Sequence, residues 1–87
     1  MRKISNDEIG VRGQEIYEQR LRPVVETEEN IGKIISIDVV TGDFEIADDL
    51  LSAGRRLQVR RPDALMYGKR IGYNAVYAVG GTLVRAV

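Results

Sequence analysis

The chain has 87 residues, with 13 Lys/Arg against 13 Asp/Glu and neither Cys nor His. That length suits one domain with a thin core. The missing Cys excludes a disulfide framework, a thiol nucleophile and a thiolate zinc site, and the missing His removes the commonest general base at neutral pH. The zero net charge conceals a division. Residues 1–50 hold 6 Lys/Arg and 12 Asp/Glu, and residues 51–87 hold 7 and 1. Such halves can pair within one chain or between copies, while the overall balance argues against a dedicated polyanion binder.

Residues 1–8 read as a flexible start, and residues 9–81 as a single α+β domain. Met1-Arg2-Lys3 leads into Ile4-Ser5-Asn6-Asp7-Glu8, which lacks the apolar stretch of a secretory signal. No apolar run approaches the roughly 18 residues of a membrane span, so a cytoplasmic protein with no membrane partner is expected. Ile9, Ile16, Tyr17, Leu21, Val24 and Val25 recur at helical offsets, with Gly13 on the same stripe and Arg12, Glu15, Glu18, Arg22 and Glu26 opposite. Asn6 or Asp7 is placed to cap the start. Pro23 lacks an N–H and clashes with the carbonyl four residues back, so the helix kinks or restarts there. The unbroken apolar phase favours a kink. Residues 26–32 form an acidic exit, a solvated rim whose three Glu oppose the helix dipole.

A β-hairpin follows. Ile35, Ile37 and Val39 alternate with Ser36 and Asp38; after the turn, Phe44 and Ile46 alternate with Asp43 and Glu45. Val40-Thr41-Gly42 between them suits a type I turn closed by a left-handed residue, which Gly42 supplies without a Cβ penalty. Asp38 is placed to accept from backbone N–H groups two or three residues on. Ile34 breaks the alternation and points at a second surface, such as one facing another copy.

In the next segment Asp48 is the expected N-cap, with Asp49 in the first turn. Leu50, Ala53 and Leu57 share a face, and Gly54 beside them permits close approach to a sheet. Arg55, Arg56, Arg60 and Arg61 crowd the far end, where cations suit the dipole, and Pro62 stops the helix. Residues 64–71 and 75–79 then read as a second hairpin around Gly72-Tyr73-Asn74. Leu65, Tyr67 and Ile71 share its buried face, on which Lys69 is a misfit unless a bulge at Gly68 re-aims it. Gly80-Gly81 closes the domain, and residues 82–87 are a tail or short strand. The expected fold is helix–β-hairpin–helix–β-hairpin, a small antiparallel sheet with helices packed on one face.

Chemistry is sparse. Asp48 and Asp49 point about 100° apart on a helix and cannot share one substrate atom. Two residues separate Asp38 from Thr41-Gly42, against the contiguous Asp-Thr-Gly of aspartic proteases. Residues 38–49 fail as a calcium loop, because Asp43 stands where Gly is needed and Asp49 replaces the bidentate Glu. No glycine loop opens a helix to cradle phosphate. No catalytic, metal or cofactor residues are therefore assigned. The remaining signal is basic: Arg55, Arg56, Arg60, Arg61, Lys69 and Arg70, with Tyr67, Tyr73 and Tyr77, are candidate contacts for a partner or for single-stranded nucleic acid. The four arginines lie at about 0°, 100°, 140° and 240° around a helix axis, which is no single stripe. Ile34, Tyr73 and Tyr77 are the candidates for self-association.

Taken together, Gly32-Lys33-Ile34-Ile35-Ser36-Ile37-Asp38, Thr41-Gly42-Asp43-Phe44-Glu45-Ile46, Arg61-Pro62-Asp63-Ala64 and Arg70-Ile71-Gly72-Tyr73 resemble a family of short uncharacterised bacterial proteins, many of them cyanobacterial. The resemblance spans residues 13–81. Some members of that family are encoded beside a retropepsin-like protease, so the resemblance implies an accessory or antitoxin-like partner of a neighbouring gene product; it carries over no functional residue. The expectation from residues and resemblance together is a non-enzymatic interaction module that self-associates as a homodimer. The alternative is a nucleic-acid-binding module built on the arginine cluster.

Overall fold

The computed structural model describes residues 4–74 and 76–80. Its elements run α1 (Asn6–Ile16), a π-helical turn (Tyr17–Leu21), α2 (Arg22–Val25), β1 (Ile34–Asp38), β2 (Phe44–Ala47), α3 (Leu50–Arg60), β3 (Met66–Arg70) and β4 (Val76–Gly80). The strands form one antiparallel sheet in the order β2-β1-β3-β4. This is the α+β order of helix, hairpin, helix, hairpin that the sequence predicts.

The helices divide between the two faces of the sheet instead of sharing one. On one face Ile35, Ile37, Tyr67 and Ile71 pack against Ile9, Tyr17, Leu21 and Val25 of the N-terminal helical run. On the other, Ile34 and Ala47 meet Ala53, and Met66 meets Leu57 and Ala64, beneath α3. Successive strand residues point to opposite faces. The entire β1 strand is buried, so Ile34 does not break a pattern; it serves the second face. Its assignment to a surface for another copy is thereby corrected.

Local chemistry explains the element boundaries. Ser5 caps α1, its Oγ accepting from the Glu8 N–H at 3.2 Å, so the helix begins at Asn6, inside the segment read as flexible. Asp49 rather than Asp48 caps α3, accepting from the Ser52 N–H at 2.8 Å and the Ser52 hydroxyl at 3.0 Å; these bonds hold its carboxyl below the usual range. Pro23 neither breaks nor sharply ends the first helix. A wider turn precedes it, in which the Arg22 N–H donates to the Tyr17 carbonyl five residues back, and Pro23 then sits in the first turn of α2. That turn keeps Tyr17, Leu21 and Val25, four residues apart, on the buried side.

The first hairpin closes as its residues dictate. The Gly42 N–H donates to the Asp38 carbonyl at 2.7 Å, with Gly42 at φ 83°. The buried Asp38 carboxylate accepts from the Val40 N–H at 3.0 Å and the Thr41 hydroxyl at 3.1 Å. In the second hairpin the register shifts between Gly68 and Lys69, where β4 advances from Ala78 to Val76. The extra residue lies in β4, so β3 runs straight against β1. Lys69 is therefore not re-aimed; it stays on the Tyr67 face and is buried there. Gly81 and the residues 82–87 read as a tail lie outside the described residues. Among the described residues, no helix is long and apolar enough to cross a membrane.

Candidate functional site

The arginines that looked like a ligand-binding cluster hold the outer edge of β2. The Asp38 N–H bonds the Asp43 carbonyl at 2.8 Å, which marks odd-numbered β2 residues as those facing β1. Alternation leaves the Phe44 and Ile46 carbonyls pointing outward. Arg56 donates to the Ile46 carbonyl at 2.8 Å, and Arg60 to the Phe44 carbonyl at 3.0 Å. The spacing fits: four residues rise about 6 Å along a helix, and two residues advance about 6.8 Å along a strand. Arg60 also meets Glu45 at 2.8 Å, and Arg61 meets Asp43 at 2.6 Å. Arg55 is exposed and makes none of these contacts.

This engagement changes what the cluster can do. A depression of about 310 Å³ beside it is lined by Arg60 and Arg61, but also by Asp38 and Asp63. With two carboxylates set against two guanidiniums, it has no excess of positive charge to attract phosphate.

Lys69 and Arg70, adjacent in sequence, are separated by the strand. Lys69 lies inside, its ammonium 4.8 Å from the centre of the Tyr17 ring and donating to the Tyr73 carbonyl. Burial pushes its pKa below the usual lysine value, against the pull of Glu18 and Glu26. The Tyr17 hydroxyl donates to Glu26 at 2.6 Å and accepts from the Gly72 N–H at 3.4 Å. Burial first, and that carboxylate second, raise its pKa to about 12. This cluster ties the β3–β4 turn to the first helix, and Lys69 is spent there rather than on a partner. Arg70 is exposed, its guanidinium 5.7 Å from the ring centre of Tyr73. Among the described residues, no group of three or more acidic side chains could hold a metal ion.

Of the self-association candidates, Ile34 is 5% exposed beneath α3, and Tyr73 is 53% exposed. The side chain of Tyr77 lies outside the described residues. Sequence reasoning passed over the surface beside β4. There a groove of about 370 Å³ runs between α1 and the strand, lined by Asn6, Gly10, Val11, Gln14, Tyr67 and Val76 among others. Val11 and Val76 are 58% and 47% exposed. Val11 carried a signal, as an apolar residue opposite the buried stripe of its helix. Among the described residues β4 pairs with β3 alone, so the sheet has one edge held by arginines and one without such a guard. Compared with protein-family models, curated proteins and solved structures, the chain finds no match.

Proposed function

We propose that this chain is a non-enzymatic interaction module that self-associates. The unequal treatment of its two sheet edges carries the reading. An edge strand offers a row of backbone donors and acceptors to any other strand, and proteins blunt such edges with charged side chains. Here β2 is blunted by Arg56 and Arg60, whereas Val76-Tyr77-Ala78-Val79-Gly80 contains no charged residue, begins with the exposed Val76 and lies beside the exposed Val11. The small size of the chain adds to this, since association is a common supplement to a thin core.

The nucleic-acid alternative loses support from the same geometry. Arg56, Arg60 and Arg61 would have to release two carbonyls and two carboxylates before reaching a phosphate. Light scattering over roughly 10 μM to 1 mM, the range suited to a small interface, tests the proposal. A mass that rises with concentration supports it, and a strict monomer throughout removes it.

A further inference from the structure

We infer that the partner is a second copy of this chain, joined antiparallel along the β4 edge and centred on Val79, giving a continuous eight-stranded sheet. This rests on the self-association proposed above and specifies its geometry.

The register picks out the residue. The Val39 N–H donates to the Leu65 carbonyl at 3.0 Å and the Ile71 N–H to the Lys33 carbonyl at 2.8 Å, so odd-numbered β3 residues bond to β1. Met66 and Gly68 then face β4, where they oppose Gly80 and Ala78. Those two turn their backbone groups inward, and Val79 between them turns its N–H and C=O outward. In a twofold arrangement the only outward residue of this regular stretch meets its own copy, Val79 against Val79, with Ala78 against Gly80.

Stoichiometry follows from the other edge. Like edges joined by a twofold axis close at two. Growth past two would need β2, whose outward carbonyls are held by Arg56 and Arg60. A strand of five residues is about 17 Å long; with the flanking helix layers it covers on the order of 400 Å² per copy, below the size of a standard stable interface. The dimer is accordingly weak, with dissociation in the range of roughly tens to hundreds of micromolar.

The test reads amide exchange at Val79 in the wild-type protein by NMR, together with light scattering at the same concentrations. An outward amide exchanges freely in a monomer and is protected in the dimer, so the result expected is protection at Val79 that grows in step with the dimer fraction. The chain has no Cys, which allows a clean second measurement. Cα atoms of a bonded antiparallel pair lie about 5.5 Å apart, within disulfide range, so Val79→Cys cross-links on oxidation while Val76→Cys does not. A dimer without protection or cross-linking at Val79 overturns the β4 geometry and leaves self-association standing. A strict monomer with Val79 exposed overturns both. Protection at every concentration in a monomer means that residues 82–87 of the same chain cover the edge, and the second copy is excluded.

Discussion

Gly13→Ala is the substitution whose cost the packing fixes most directly. A Cβ on Gly13 would lie 2.1 Å from Tyr67 Cγ and 2.5 Å from Tyr67 Cβ. The nearer contact is about 1.3 Å short of the 3.4 Å at which ordinary contact begins. The obstructing atoms are not the free end of a flexible side chain. They sit at the root of a tyrosine 2% exposed on β3, a strand paired on both sides. The helix must therefore retreat, loosening Ile9 and Tyr17 against the sheet. Overpacking of this kind costs about 1–3 kcal/mol, and the anchored position of the clash puts Gly13→Ala at the upper end. Higher helix propensity returns at most about 1 kcal/mol, leaving a net loss of about 2 kcal/mol and a fall in Tm of roughly 8–16 °C for a domain of this size. Urea unfolding followed by circular dichroism measures it. Tyr67→Ala alone costs about 3–5 kcal/mol; it removes the Cγ at 2.1 Å but keeps the Cβ at 2.5 Å, so in that background Gly13→Ala should cost less than in the wild type without becoming neutral. An equal loss in both backgrounds would refute the close-approach account.

Other consequences are as specific. Ser36 Oγ is buried without a hydrogen-bond partner among the described residues, so Ser36→Ala should be neutral or stabilise by up to about 1 kcal/mol; a loss of that size in urea unfolding would show a bound water or another partner. Asp38→Ala leaves the Val40 N–H and the Thr41 hydroxyl without their acceptor and should cost about 1–3 kcal/mol, read by the same assay. The Tyr17 phenol, raised from 10.0 to about 12, contributes stability that is complete below pH 10 and is lost as pH rises through about 12. Tyr17→Phe should flatten that alkaline limb, and an unchanged limb would remove the phenol as its cause. Lys69, with its pKa lowered, acts oppositely: stability rises as pH climbs from its folded value towards 10.5, so Lys69→Met should remove that rise in urea unfolding followed across the same pH range.

What was legible in the sequence was mainly local. Asp38 and Gly42 close a loop within five residues, and the chemistry of each suffices to place it. The two helix caps were misplaced by a residue or less than a turn, because Ser5-Asn6-Asp7 and Asp48-Asp49 put competing cap residues side by side. Propensity alone does not rank them; Ser5 and Asp49 are selected by the N–H groups three residues on. The places of Ile34 and Lys69 are illegible for a different reason. Their fates depend on α3 covering a face that period-2 alternation alone treats as open, and on a β4 bulge that leaves β3 straight. The arginines needed partners 10 to 18 residues away. A hint is present in Asp43 and Glu45, two acids with strand spacing, whose partners are Arg61 and Arg60 at the end of the basic helix.

That pairing also decides how association should respond to salt. The acidic first half and basic second half could have joined separate copies, and such a dimer would weaken as ionic strength shortens the Debye length to about 10 Å or less. Part of the opposition is instead closed inside the chain, by Arg60 on Glu45 and Arg61 on Asp43, while Arg12 and Arg22 bond glutamates one turn away on their own helices. The pairing proposed through β4 would rest on backbone hydrogen bonds and apolar contact, so its dissociation constant should change less than about threefold between low salt and 0.5 M, where charge-driven association loses far more. The guarded edge behaves in the opposite sense. Its ion pairs are half exposed and individually worth about 0–1 kcal/mol, but the two guanidinium-to-carbonyl bonds physically occupy β2's outward acceptors. Arg56→Ala with Arg60→Ala should open that edge and give each chain two competent ends. Light scattering should then show masses above the dimer, and a distribution identical to wild type would mean that these arginines do not limit growth.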